Sequence, residues 1–276
     1  MKPSFINPAY VGVDGIMKVT FMHRSQWIGV AGAPVTQTLL FSAPLGQHVG
    51  FGFGITRDQI GPANETNVSA DVSYTLHLNN NGLDFSFGIK GGLQLLNVDY
   101  TKLIIQNPND PSIFHNINSR ITPNIGAGMY LFNQDWYVGL SMPNLLSTKH
   151  YNEKKVSLVS RAVHFYLLGG INFYLNDNLK MKPTFLLKNT STSPLTIDLS
   201  LNFLFHNRFT TGVSYRQKAS VSGLVDFKVS TSISIGYSYD YDTSDIGNFS
   251  GGSHEVLVRY YFNEVINNVS EPDWLF

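Results

Sequence analysis

The residues that most resemble catalytic groups are the dyad His254-Glu255 and the carboxylates Asp240 and Asp242. A zinc-protease motif requires a second His four residues after the first, and that position holds Val258. In an extended segment, the side chains of His254 and Glu255 point to opposite faces. Asp240 and Asp242 share one strand face and could form a carboxylate pair of the kind that glycosidases require, but a solvated lumen or a strand end explains them more simply. The sequence therefore predicts pairing or structural roles for these residues, and no enzyme is expected.

The other residue types that carry chemistry also fail to form a site. Eight His are scattered without metal-ligand spacing, no Ser occupies a Gly-x-Ser-x-Gly elbow, and Cys is absent. Gly50, Gly52 and Gly54 alternate with bulky apolar residues and precede no helix-forming segment, so they indicate a small-residue strand face rather than a phosphate loop. Zero formal charge without a basic cluster argues against nucleic acid as a partner. No cofactor or metal is expected.

Alternation of apolar and polar residues with a period of two dominates the chain and is clearest in 197–206 and 231–241. Many such segments run about ten residues, enough for a tilted strand to cross a bilayer. Charged residues make up 14% of the chain, against roughly 25% in soluble domains. We therefore predict an all-β fold, a transmembrane antiparallel β-barrel of about 14 strands. The predicted strands lie near 16–22, 36–43, 47–57, 64–77, 83–97, 119–131, 135–142, 161–175, 179–188, 195–206, 207–216, 221–229, 231–241 and 253–263.

The connections between these strands predict which end of the barrel faces which side of the membrane. Short turns at 79–82, 133–135 and 176–178 are typical of the periplasmic side, whereas the segments 98–118, 143–160 and 242–252 are long enough for extracellular loops. Aromatic residues at 173–174, 237–241 and 260–262 fit interfacial girdles. Glycine pairs at 91–92, 126/128 and 169–170 predict bends or close backbone approach. No linker or charge run divides the chain, so residues 1–276 are expected to form a single domain.

Several motifs spread along the chain carry a resemblance to a known family. The first three are Ile6-Asn7-Pro8-Ala9-Tyr10-Val11-Gly12, Arg24-Ser25-Gln26-Trp27-Ile28-Gly29 and Gly32-Ala33-Pro34-Val35-Thr36-Gln37-Thr38. The later ones are Pro44-Leu45, Gly139-Leu140-Ser141-Met142-Pro143-Asn144, Tyr237-Ser238-Tyr239-Asp240 and Ser253-His254-Glu255. Over essentially its whole length, the chain resembles the PorP/SprF family of the Bacteroidetes type IX secretion and gliding machinery.

The resemblance implies an outer-membrane barrel that works with the secretion system without being its main conduit. The implied role is non-enzymatic: it anchors, or assists the export of, a surface adhesin or other cargo with a type B C-terminal sorting domain. The expected partners are this cargo, other components of the machinery and outer-membrane lipid. The founding secretion member of the family is linked to the periplasmic ring proteins of the machinery, so the resemblance implies these proteins as possible further partners. A passive pore or small-solute transporter is the alternative function.

The matched motif residues are the candidate site, as structural residues or as contacts to cargo and partners. Between the first two strands, a structural turn anchored by Arg24 and Trp27 is favoured over a lumen constriction or cargo contact. Residues 1–15 are expected to be a leader in a sequence whose signal peptide has been removed, and 264–276 a C-terminal tail. The candidate residues are Asn7, Pro8, Tyr10, Arg24, Gln26, Trp27, Gly32, Pro34, Thr36, Gln37, Asp240, His254 and Glu255.

Overall fold

The computed structural model describes residues 3–79, 82–102, 116–146, 163–190 and 193–262. Short 3₁₀ turns occur at Pro3–Phe5, Pro8–Tyr10, Tyr100–Lys102 and Asp245–Asn248. In these ranges, no helix has the length and apolar character needed to cross a membrane. The strands are β1 (Lys18–Ser25), β2 (Val35–Leu45), β3 (Val49–Ile60), β4 (Ala63–His77), β5 (Asp84–Val98), β6 (Ile117–Phe132), β7 (Trp136–Asn144), β8 (His164–Ile171), β9 (Phe173–Asn176), β10 (Leu179–Thr190), β11 (Ser193–Phe205), β12 (Phe209–Arg216), β13 (Ser220–Lys228), β14 (Ile233–Asp242) and β15 (Ser253–Tyr261).

These strands form one antiparallel sheet that closes on itself. The first strand, β1, pairs with the last, β15, in a register that runs from Lys18 opposite Tyr261 to Ser25 opposite His254. β8 and β9 both pair with β10, so they share one position in the wall, and β10 continues to β11. The sheet is therefore a closed barrel with fourteen wall positions, which confirms the predicted fold class.

One predicted strand is interrupted in the structure. The sequence predicts a single strand near 161–175, but β8 ends at Ile171 and β9 begins at Phe173. Between them, the buried Asn172 donates its backbone N–H to the carbonyl oxygen of Asp135, 2.7 Å away in the turn between β6 and β7. This bond continues the register in which Trp136 lies opposite Ile171, so the interruption lies in the pairing with β10. There the pairing of Thr184 with Gly170 resumes as Met181 with Phe173, and Pro183, which lies between, has no N–H to donate to a ladder. The prediction of one continuous strand was wrong.

Side chains alternate between an apolar outer surface and a polar interior. In β11, for example, Leu199 is 51% exposed while the neighbouring Asp198 is buried. A surface that exposes large apolar side chains and buries polar ones is the distribution that lipid around a polar lumen requires. The apolar side chains exposed on the outer face include Phe21, Leu39, Phe53, Val72, Ile89, Ile125, Val138, Leu199, Val213, Val225, Ile235 and Val256.

The two ends of the barrel differ in the length of their connections. β1 begins and β15 ends at the same end, and the predicted short turns at 79–82, 133–135 and 176–178 lie there. The three long connections leave from the opposite end. Residues 80–81, 103–115 and 147–162 within these connections, and the predicted tail 264–276, lie outside the described residues.

Candidate functional site in the barrel lumen

The segment before the first strand folds into the barrel rather than away from it. We call residues 3–16 the N-terminal plug. Its centre is the 3₁₀ turn Pro8–Tyr10, which begins after the cap residue Asn7 and is buried throughout. The side-chain oxygen of Asn7 accepts the N–H of Ala9 at 3.0 Å, and its amide donates to the carbonyl oxygen of Met129 on β6, also at 3.0 Å. Asn7 therefore both shapes the turn and ties it to the wall.

Hydroxyl groups of the wall bind the backbone of the plug. Ser86 on β5 donates to the carbonyl oxygen of Ala9 at 2.7 Å, and Ser73 on β4 donates to that of Val11 at 2.6 Å. The backbone N–H of Gly12 donates to the Ser42 hydroxyl on β2 at 3.3 Å. These bonds satisfy backbone groups that the short 3₁₀ turn leaves without partners inside the segment.

Small residues in register across five strands make room for the plug. We call Gly50, Ser73, Gly88, Gly128 and Ser141 the small-residue row, because each stands opposite the next on β3, β4, β5, β6 and β7. A Cβ atom on Gly88 would stand 2.5 Å from backbone atoms of Pro8 and Ala9, and one on Gly50 or Gly128 would overlap Val11 or Asn7. Close approach of the plug backbone therefore requires glycine at these positions.

Aromatic packing and one ion pair complete the seat of the plug. The ring of Tyr10 meets that of Tyr130 edge-on, with centroids 5.4 Å apart, and Tyr130 stacks on Tyr137 at 5.6 Å. These rings form a buried cluster with Ala9, Val13, Phe132, Leu168 and Leu186. Asp14, at the exit of the plug, pairs with Lys18 at the start of β1. A dry core thus occupies this part of the lumen.

The other side of the lumen holds a cavity of about 590 Å³. Its wall is formed mainly by β10 to β15 and β1, and Phe5 and Ile6 of the plug contribute to it. Four lining residues follow one another in register, Thr184 opposite Ser200, Ser200 opposite Ser214, and Ser214 opposite Ser222. We call these four residues the hydroxyl row.

Ion pairs connect strands of the cavity wall beside the hydroxyl row. Arg24 on β1 contacts Asp240 on β14 and reaches Glu255 on β15 at 3.3 Å. Arg216 on β12 makes a bidentate pair with Asp198 on β11, at 2.7 and 2.9 Å. Each guanidinium is thus neutralised by carboxylates on strands one or two positions away in the sheet, an arrangement that fixes the planar arginine forks.

A second set of charges lies nearer the end where the chain enters the barrel. Arg259 on β15 pairs with Asp226 on β13 and donates to the Ser234 hydroxyl at 2.8 Å. The ammonium group of Lys182 stands 5.3 Å from the ring centroid of Tyr137, a cation–π contact. Among the described residues, five cations and four carboxylates line the cavity, so its charge is nearly balanced.

The structure brings some of the predicted site residues together and keeps others apart. Asn7, Pro8 and Tyr10 lie in the plug, and Arg24, Asp240 and Glu255 meet in the cavity wall. His254 faces outward, where its ring nitrogen is 2.7 Å from the Tyr237 hydroxyl, so His254 and Glu255 do point to opposite faces as predicted.

The remaining candidate residues lie in and beside the loop between β1 and β2. Gln26, Trp27, Gly32 and Pro34 form an irregular turn closed by a 2.9 Å bond from the Gln26 N–H to the Pro34 carbonyl oxygen. This turn is bonded to the neighbouring loops through Ile28 and Gly32. Thr36, on β2, donates to Asp58, and the Gln37 amide lies 3.4 Å from the His23 ring.

Sequence reasoning missed the wall residues that seat the plug and two of the ion pairs in the cavity. The small residues were visible as one strand face at Gly50, Gly52 and Gly54, but the row across the sheet appears only when the register of five strands is known. The pairs Arg216–Asp198 and Arg259–Asp226 likewise join different strands. The signal that was available is the concentration of Gly, Ser and paired charges on the polar faces.

One known protein family matches nearly the whole chain. The profile of the family described as "Type IX secretion system membrane protein PorP/SprF" matches residues 1–260. The chain belongs to the PorP/SprF family. The match includes both the N-terminal plug and all fifteen strands except the final residue of β15. A comparison with functionally curated proteins found no match.

Solved structures similar to this PorP/SprF protein include a transporter and two channels. The toluene transporter TbuX of Ralstonia pickettii gives a TM-score of 0.54 at 13% identity, covering 94% of this chain and 92% of its own. The monoaromatic hydrocarbon channel CymD gives 0.56 at 11% identity, with coverage of 95% and 93%. A mutant of the monoaromatic hydrocarbon channel TodX gives 0.57 at 10% identity, with coverage of 95% and 94%. At these identities the likeness shows the barrel fold alone.

The fold and the family together give a coarse function. This PorP/SprF protein is an outer-membrane β-barrel and a membrane component of type IX secretion, and its membership implies interaction with other components of that system. The matched family is one of secretion-system membrane proteins. The similar structures are a transporter and channels, not enzymes. In the described ranges, no group of three or more His, Asp or Glu side chains is arranged to hold a metal ion.

Proposed function

We propose that this protein is a non-enzymatic outer-membrane partner of the type IX system that anchors a secreted adhesin or other cargo, or assists its export, through the cargo's type B C-terminal sorting domain. The plugged lumen is the observation that carries the proposal. A barrel whose lumen is partly filled by a buried segment is suited to holding a partner rather than to conducting solutes through a wide pore. The bound surfaces would then be the loops, the rim or the remaining cavity.

The way in which the plug is held supports a permanent obstruction. Its contacts include two short bonds from wall hydroxyls, a ring cluster and an ion pair at its exit. A plug that had to leave with each transport cycle would expose the rings of Tyr10, Tyr130 and Tyr137 to water each time. The loss of apolar burial opposes such a movement, at roughly 1.5–3 kcal/mol for each large side chain exposed.

A passive pore or small-solute transporter is the second candidate, and the cavity of about 590 Å³ favours it. Polar side chains line this cavity, and the similar structures TbuX and CymD are described as a toluene transporter and a hydrocarbon channel. The balanced ion pairs of the wall would pass uncharged solutes more readily than ions. Conductance and solute uptake by the purified protein in lipid separate this candidate from the anchor.

The first test measures where the cargo is found. Cells that lack this protein are compared with cells complemented by a tagged copy, and proteins in the medium and on the surface are quantified by mass spectrometry. In the absence of the barrel, a protein with a type B sorting domain is expected to move from the surface to the medium or to remain inside the cell.

The second arm of this test identifies the partner. The tagged barrel is purified from native outer membranes in mild detergent, and the accompanying proteins are identified. Recovery of the displaced cargo supports anchoring, whereas periplasmic ring proteins alone would place the barrel with the motor of the system. A barrel recovered alone, with open-channel conductance in planar bilayers and unchanged cargo location, contradicts the proposal and supports the pore.

A further inference from the structure

The two sides of the lumen carry similar polar chemistry, but the plug fills only one of them. On the plug side, Ser73 and Ser86 donate to backbone carbonyl oxygens, and the hydroxyl of Ser42 accepts a backbone N–H. On the cavity side, the hydroxyl row presents four adjacent Ser and Thr side chains in register on β10, β11, β12 and β13. Hydroxyl groups both donate and accept, so they suit the alternating N–H and C=O groups of a peptide.

The charges of the cavity restrict the class of ligand. Arg24, Arg216 and Arg259 are each already paired with a carboxylate of another strand. A polyanion such as a phosphorylated glycolipid would have to break these pairs, which would leave buried carboxylates without their cations. A ligand of low net charge that bonds through neutral groups leaves the pairs intact.

The size of the cavity and its apolar residues restrict the ligand further. A volume of about 590 Å³ lies within the range of roughly 300–1,000 Å³ for pockets that hold small ligands, so a folded domain cannot enter. Phe5 and Ile6 of the plug, with Leu186, Leu224 and Leu257 of the wall, add apolar surface beside the hydroxyls. This mixture fits a short peptide with neutral and apolar side chains.

We propose that the cavity binds an extended peptide segment of a partner protein, whose backbone bonds to the hydroxyl row and whose side chains pack on Phe5 and Ile6. The plug is then one face of the binding site as well as an obstruction. This inference rests on the proposed function, because the expected source of the peptide is the secreted cargo.

The test fills the cavity at one position and uses the adjacent residue as its control. Ser214 lines the cavity in the centre of the hydroxyl row, whereas Val213 on the same strand is 58% exposed on the outer face. Ser214→Trp is expected to lower the cargo recovered with the tagged barrel by about tenfold, equivalent to about 1.4 kcal/mol. Val213→Trp is expected to leave recovery unchanged. Heat-dependent electrophoretic migration verifies that both barrels are folded.

A crosslinking experiment remains informative if Ser214→Trp fails to fold. The photoreactive residue p-benzoylphenylalanine is placed at position 222 in the hydroxyl row, or at the outward position 221 as its control, and membranes are irradiated. A crosslink from 222 to a peptide of another protein supports the proposal. A crosslink to residues 263–276 of this chain, to a glycan, or to nothing overturns it.

The outcomes also separate this inference from the proposed function. If removal of the whole barrel displaces the cargo but Ser214→Trp does not, anchoring stands and the cavity is not its site. If neither change displaces the cargo, the proposed function itself fails.

Discussion

Small side chains determine how closely the plug approaches the wall of the barrel. At Gly88, a single added methyl group would meet backbone atoms of Pro8 and Ala9, and neither backbone can rotate away as a side chain would. Gly91 offers a matched comparison, because it lies three residues later on the same strand and a Cβ there would meet no atom within 4 Å. The two positions differ in their contact with the plug.

We expect Gly88→Ala to destabilise the plugged barrel by about 1–3 kcal/mol, the usual cost of overpacking a filled interior. Urea unfolding of the refolded protein in detergent measures this change, and limited proteolysis reports whether the plug has become accessible. Gly91→Ala is expected to change the free energy of unfolding by less than about 0.5 kcal/mol. Equal midpoints and equal cleavage for the two variants would contradict the role assigned to the small-residue row.

The strands could be predicted from sequence, whereas the plug could not. Alternation over about ten residues is a periodic signal, so the elements and the long and short connections were found within a few residues of their bounds. The plug has no repeating pattern, and its 3₁₀ turn is only three residues long. Its structure depends on Ser73, Ser86 and Gly128, which are far away in sequence. The same limit hid the meeting of Arg24 with Asp240 and Glu255, although each was named separately.

As an element, the plug converts a fourteen-position barrel into an obstructed one. Removal of residues 3–13 would vacate the space along the small-residue row and leave the rings of Tyr130 and Tyr137 facing the lumen. We expect this deletion to raise single-channel conductance in planar bilayers from background to a steady open level. Removal of residues 3–5 alone is the control, because it leaves Asn7 and the turn Pro8–Tyr10 in place.

The two deletions together show whether the plug closes the lumen or whether the cavity side is already an open path. If removal of residues 3–13 opens the pore and removal of 3–5 does not, the turn and its cap close the lumen. If the intact protein already conducts at the level of the longer deletion, the cavity side is a continuous path and the pore becomes the better function.

At the scale of the whole molecule, adjacent residues of each strand form two surfaces of opposite polarity, an apolar outer surface and a polar inner one. On β11, Leu199 is exposed on the outer face and Ser200 lines the cavity. Lipid cannot solvate a charge, whereas several carboxylates line the cavity. The assignment of faces therefore predicts that one substitution lowers the free energy of unfolding much more on the outer face than at the adjacent position that faces the lumen.

We expect Leu199→Arg to lower the free energy of unfolding in lipid vesicles by about 2–4 kcal/mol, the cost of a basic side chain near the middle of a bilayer. Ser200→Arg should cost less than about 1 kcal/mol, because its guanidinium enters a polar lumen near Asp198. Urea titration of both variants in vesicles provides the comparison, and the same titration in detergent micelles should narrow the difference, since micelles deform around a charge more readily than a bilayer. Equal losses of unfolding free energy at the two positions would contradict the assignment of Leu199 to the lipid-facing surface and of Ser200 to the lumen. The assignment of the lumen that holds the plug and the cavity would then fail as well.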